Sequence, residues 1–104
     1  MKNIKKNIEE SYTLPSTFYS SEAIFNKTID KLFVKSWQFI IEDSILSNLN
    51  SVYPFTLIDD ILPEPLFLIR NKNGVECYSN VCTHRGNLLV DKPCLLNHDI
   101  VCGY

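Results

Sequence analysis

Asn80-Val81-Cys82-Thr83-His84-Arg85-Gly86-Asn87, with the later Val101-Cys102-Gly103-Tyr104, is the stretch around which the rest of this chain is organised. Cys82 and His84 are separated by a single residue, and Cys102 follows after the seventeen residues 85–101. Thiolate and imidazole are soft and borderline donors, suited to zinc or to iron–sulfur chemistry. Structural zinc sites usually space paired ligands as C-x2–4-C or H-x3–5-H, which lets both side chains wrap one ion. Cys-x-His is tighter than that. It suits two side chains on one loop reaching two neighbouring metal ions, with a second loop making the same offer from the opposite side.

The rest of the sequence limits the setting of that loop. A chain of 104 residues is long enough for one small core, burying roughly two thirds of the surface an unfolded chain exposes. Hydrophobic residues make up 45% and charged residues 21%, which is the make-up of an ordinary globular protein. The net charge of −2 gives no reason to expect nucleic acid as a partner. Lys2, Lys5 and Lys6 are followed by Glu9 and Glu10 and read as a solvated N-terminus. No apolar run approaches the ~20 residues a membrane span needs, and no apolar segment follows the N-terminal charges, so the expected location is cytoplasmic, with no membrane partner. A reducing compartment turns four cysteines toward metal or free-thiol use rather than disulfides.

Upstream of the loop, Phe25, Ile29, Leu32, Phe33 and Trp37 recur at three- and four-residue steps and predict a helix over 21–35, its apolar face packed in a core. Ser20 or Ser21 is its expected N-cap, with Glu22 near the positive end. Residues 37–42 predict a short strand, 43–51 a connection and 52–58 a second strand, which Pro54 pushes toward a sheet edge. Asp59-Asp60 and Pro63-Glu64-Pro65 predict turns. Residues 66–70 and 75–79 form a hairpin about Asn71-Lys72-Asn73-Gly74, in which Asn73 and Gly74 both tolerate positive φ. Asp91-Lys92-Pro93 predicts a turn, and 100–101 a short strand that delivers Cys102. The class is α+β, mostly antiparallel β, with an N-terminal helix.

Two cysteines on one iron and two histidines on the other is the mixed ligation of a Rieske [2Fe–2S] centre. The run 80–86, the seventeen-residue gap to Cys102 and the following Gly103-Tyr104 resemble the Rieske oxygenase α-subunit family, of aromatic-ring-hydroxylating dioxygenase and related monooxygenase types. The lead-in resembles it too: Ser11-Tyr12-Thr13-Leu14-Pro15, Ser36-Trp37-Gln38 and Ile69-Arg70-Asn71-Lys72-Asn73-Gly74. Coverage runs from about residue 11 to 104. The resemblance implies a leader and helix over 1–36 and a Rieske [2Fe–2S] domain over 37–104, incomplete at its C-terminal end. Two features depart from the family. The second family loop is Cys-x-x-His, whose histidine position falls after Tyr104. The family also tends to carry glycine before the second strand, where this chain has Asn50 and Ser51.

The resemblance implies that Cys82, His84 and Cys102 bind the cluster, the cysteines on the ferric-locked iron and His84 on the redox-active one. Electrons would come singly from a ferredoxin or reductase and pass to a mononuclear non-haem Fe(II) in a C-terminal domain outside these residues. In the family that iron has a two-histidine, one-carboxylate triad, and electrons cross between subunits of a homotrimer or αβ oligomer. No catalytic residue is expected within 1–104. With three ligands, the chain alone is expected to hold the cluster poorly and to be inactive. Arg85 and Gly86 shape the loop. Rieske proteins of respiratory complexes carry an extra cysteine in each loop, where this chain has Asn87 and Tyr104.

The competing assignments are a stand-alone ferredoxin-like electron carrier and a small zinc-binding or structural domain using the same three residues. Cys77 and Cys94 fall at no ligand position and read as buried small hydrophobes or free thiols. His98 reads as a surface histidine, and Asp59, Asp60, Glu64 and Asp91 as solvated turn residues.

Overall fold

The computed structural model describes residues 5–104, in two compact units, one ending at Gln38 and the other Phe39–Tyr104. Lys2 lies outside the described residues; of its neighbours in sequence, Lys5 pairs with Glu10 at 3.1 Å on the surface.

The first unit carries α1 (Ser16–Ser20) and α2 (Glu22–Lys31). Ser21 is the N-cap of α2, its hydroxyl oxygen accepting the Ile24 N–H at 3.4 Å, with Glu22 in the first turn and Lys31 in the last. The helix is shorter than the apolar periodicity predicts. It stops at Lys31, and Phe33–Lys35 forms a 3-10 turn. The Phe33 carbonyl that would continue the helix accepts instead from the Gln38 side-chain amide at 3.2 Å. The aromatic stripe is not a core either: Phe25 is 47% exposed, Leu32 60% and Trp37 fully exposed. A unit of under forty residues has too little chain to enclose that many large side chains.

The second unit is an antiparallel sheet of order β3-β2-β1-β4, built from β1 (Ser51–Ile58), β2 (Leu62–Asn71), β3 (Gly74–Ser79) and β4 (Cys94–Leu95). Its core is Val52, Phe67 and Val90, with Ile69, Leu89, Leu96 and Ile100 packed around them. Leu46, from a 3-10 turn at Asp43–Leu46, is buried as well. Arg70 ties that turn to β2, donating to the Leu46 carbonyl at 2.7 Å and pairing with Asp43.

Several local expectations change. Residues 37–42 and 100–101 form no strand; the short strand near the second loop is β4, at Cys94–Leu95. Pro63-Glu64-Pro65 lies inside β2 rather than in a turn, next to a register irregularity between Thr56 and Ile58 that relaxes the ladder a proline would break. Pro54 is not on an edge strand. However, β4 pairs only with Ser51 and Val52, so that flank of β1 is open beyond Val52 and accommodates a residue without an N–H. In the hairpin only Gly74 takes positive φ, at 136°; Asn73 does not. Asn50 stands at φ 64°, the left-handed conformation that favours glycine and that asparagine also tolerates. There its N–H donates to Arg70 O at 2.8 Å and its carbonyl accepts from Leu96 N at 3.0 Å, linking β2 to the segment after β4. No helix among the described residues is long and apolar enough to cross a membrane.

Candidate metal centre

The hairpin of β2 and β3 delivers the chain into Asn80, and Asn80 anchors the Cys-x-His loop. Its side chain is buried, 2% exposed, and pairs with both backbone groups of Val90: the amide donates to Val90 O at 2.7 Å and its oxygen accepts from Val90 N at 2.8 Å. Its own N–H donates to Pro65 O at 2.8 Å, and its carbonyl accepts from Leu89 N at 3.1 Å. One asparagine thus satisfies a stretch of buried backbone that lacks a neighbouring strand.

Past Asn80, Val81 bridges Leu88 in antiparallel fashion, and the residues between form a closed loop. Cys82 N–H donates to Asn87 O at 2.8 Å, and Gly86 N–H donates to Cys82 O at 2.9 Å. Gly86, at φ 69°, turns the chain back, and a Cβ built there meets nothing within 4 Å. Its requirement is therefore conformational and not steric. Gly86→Ala should destabilise the unit by only about 1–2 kcal/mol, measurable by urea denaturation, with the rest of the loop intact.

The second loop comes to the first. Leu96 and Ile100 pack on the core, and Cys102, half-buried, reaches the Cys-x-His loop. The Cys102 thiol is held below the usual thiol range, first by the Tyr104 backbone N–H and then by the Cys82 thiol beside it; burial opposes this, and the Asn87 amide adds to it. Asn87 Nδ2 lies 3.7 Å from Cys102 Sγ. Tyr104 closes the arrangement: its ring carries the Arg85 guanidinium 4.7 Å from its centroid, its hydroxyl accepts from the same guanidinium, and the His84 ring meets it edge-on at 6.0 Å.

Asn87 ties Cys102 to the Cys82 loop, its carbonyl accepting the Cys82 N–H and its side-chain amide reaching Cys102 Sγ, and His84 is exposed on the same loop as Cys82. Among the described residues no three His, Cys, Asp or Glu side chains form a group that could hold a metal ion. As donor types, two thiols and an imidazole match three of the four that a centre with two cysteines on one iron and two histidines on the other would use. Cys77 and Cys94 are exposed free thiols, not buried ones; they lie on β3 and β4, at opposite edges of the sheet. His98 is exposed, with its ring nitrogen 3.1 Å from the Asp99 carbonyl oxygen. The residues that sequence reasoning missed are Asn80 and the side chain of Asn87. The only signal for either was an asparagine at each end of the loop.

No family model matches the chain. It is 30% identical over 103 residues to the carnitine monooxygenase oxygenase subunit of Escherichia coli (strain K12), covering 98% of this chain and 26% of that protein. It is 25% identical over 97 residues to the large oxygenase component of the 2,4-dinitrotoluene dioxygenase system of Burkholderia sp. (strain RASC), covering 92% of this chain and 21% of that one. Among solved structures it superposes with TM-score 0.75 and 28% identity on a quaternary ammonium Rieske monooxygenase, reported with insights into carnitine oxidation by gut microbiota and inter-subunit electron transfer. That match covers 90% of this chain and 25% of the solved one. The chain therefore spans about a quarter of the length of these relatives.

Proposed function

From a chain that belongs to the Rieske oxygenase α-subunit family and spans about a quarter of its relatives' length, we infer an electron-entry role. In this reading Cys82, His84 and Cys102 hold a [2Fe–2S] cluster, within a Rieske domain over 37–104 preceded by a leader and helix. The observation that supports it is the approach of Cys102 to the Cys82 loop through Asn87, across the nineteen residues 83–101, on a loop that also bears His84.

The bound cluster supplies reversible one-electron storage, at a potential raised by imidazole ligation. The residues of the chain do the rest. The Asn80 network and the Cys82–Asn87 turn hold the first loop in shape, so two ligands need little reordering on binding. Arg85 and Tyr104 hold the second loop against it, and Tyr104 limits the tilt of the His84 ring. His84 is exposed, which leaves its other ring nitrogen open to a carboxylate on a neighbouring subunit or domain. The full oxygenase would take electrons from a ferredoxin or reductase, deliver them to a mononuclear non-haem iron in a further domain, and work as a homotrimer or αβ oligomer. Both the monooxygenase and dioxygenase names of the relatives support oxidoreductase chemistry of this class.

Anaerobic reconstitution with ferrous iron and sulfide tests the reading, using free imidazole to supply the fourth donor. The expected product shows the visible absorption and EPR signature of a histidine-ligated [2Fe–2S] cluster. Without imidazole, most iron and acid-labile sulfide should be lost on dialysis. A colourless chain that binds one zinc per molecule would replace this assignment with the structural-zinc one.

A further inference from the structure

We propose that Asn87 is a positioning residue whose side-chain N–H to the Cys102 sulfur raises the reduction potential of the cluster. The inference rests on the reading of Cys82, His84 and Cys102 as its ligands.

Asn87 alone among the loop residues is bonded to both cysteines. Its backbone carbonyl accepts the Cys82 N–H at 2.8 Å, which fixes its place at the end of the turn. Its side-chain nitrogen lies 3.7 Å from Cys102 Sγ and 3.2 Å from the Leu88 carbonyl oxygen. An amide nitrogen carries two N–H groups, so one serves each acceptor and neither bond displaces the other. A cysteine sulfur that ligates iron is an anionic acceptor, and a bond to it is charge-assisted. Reduction adds one negative charge to the cluster, on the iron that His84 would hold, and the positive end of a nearby N–H dipole attracts that charge. An N–H dipole aimed at that sulfur therefore stabilises the reduced state more than the oxidised one, and the potential rises. Asn87 also ties the two loops together through its bonds to Cys82 and Cys102. These two effects are separable. A loop staple would alter how much cluster the chain takes up, whereas an N–H···S donor alters the potential of the cluster already bound.

The test compares the wild-type chain with Asn87→Leu and Asn87→Asp, each reconstituted with ferrous iron and sulfide in imidazole buffer. Leucine keeps the size without the donor. Aspartate keeps the shape, removes the donor and adds negative charge. Both leave the backbone bond to Cys82 in place, and if leucine prevents folding, aspartate carries the comparison. Midpoint potentials are read by EPR-monitored titration, normalised to cluster content. The expected order is wild type highest, Asn87→Leu lower and Asn87→Asp lowest, with the histidine-ligated EPR signature kept in all three. Equal potentials in wild type and Asn87→Leu, with a normal wild-type signature, overturn the role of Asn87 and leave the cluster assignment standing. A wild-type chain without that signature overturns both.

Discussion

Cys82→Ser should abolish cluster assembly, with the visible bands and EPR signal of the reconstituted chain lost rather than shifted. A serine hydroxyl is not ionised near neutral pH, so the iron loses an anionic donor that no neighbour can replace. Loss of an outer partner of a metal ligand typically costs about 10–100-fold in metal affinity, and loss of the ligand itself should cost more. Cys102→Ser should behave in the same way, because in this reading both thiolates hold the same iron. The internal controls are Cys77→Ser and Cys94→Ser. Both residues are exposed on opposite edge strands, and cluster content should be unchanged in each. If either control lowers iron uptake as far as Cys82→Ser does, the donor set is wrong.

Asn80→Leu should lower the stability of the sheet unit by about 2–6 kcal/mol, since it strands two buried backbone groups at about 1–3 kcal/mol each. Those groups are the N–H and carbonyl of Val90, both now bonded to the Asn80 side chain at 2.8 and 2.7 Å. Leucine is close to asparagine in size, so the loss comes from unmade hydrogen bonds and not from a cavity. Native domains are stable by only about 5–15 kcal/mol, so this one change could unfold a fragment of this size. Urea denaturation followed by circular dichroism measures it directly. A change under 1 kcal/mol would mean that water replaces the asparagine at Val90. Because Val90 belongs to the core and Asn80 precedes Cys82, partial unfolding here should also release the Cys-x-His loop.

Both results depend on contacts of different range, and that difference marks what the sequence reveals. The hairpin about Gly74, the Ser21 cap and the α+β class follow from neighbours within a few residues, so they are legible before any fold is known. The Cys-x-His pair is legible for the same reason, since its spacing lies within three consecutive residues. The departure at Asn50 proved compatible with the fold. A left-handed φ is demanded there, and asparagine meets that demand where the family tends to use glycine.

Tertiary structure decided what depended on distant partners. A proline pair that signals a turn in isolation sits within β2, because a register irregularity opposite it relaxes the ladder. An amphipathic stripe that signals a core stays exposed, because burial depends on how much chain is present to cover it and not on periodicity. Cys102 reaches the Cys82 loop at Asn87 because Asn50, Leu96 and Ile100 lead the second loop back over the sheet. The sequence by itself determined the Cys-x-His spacing and the local turn that presents it. Only the fold brought Cys102 to that loop and assigned Asn80 and Asn87 their partners, since a side-chain amide bonds whatever backbone or sulfur the packing places within its reach.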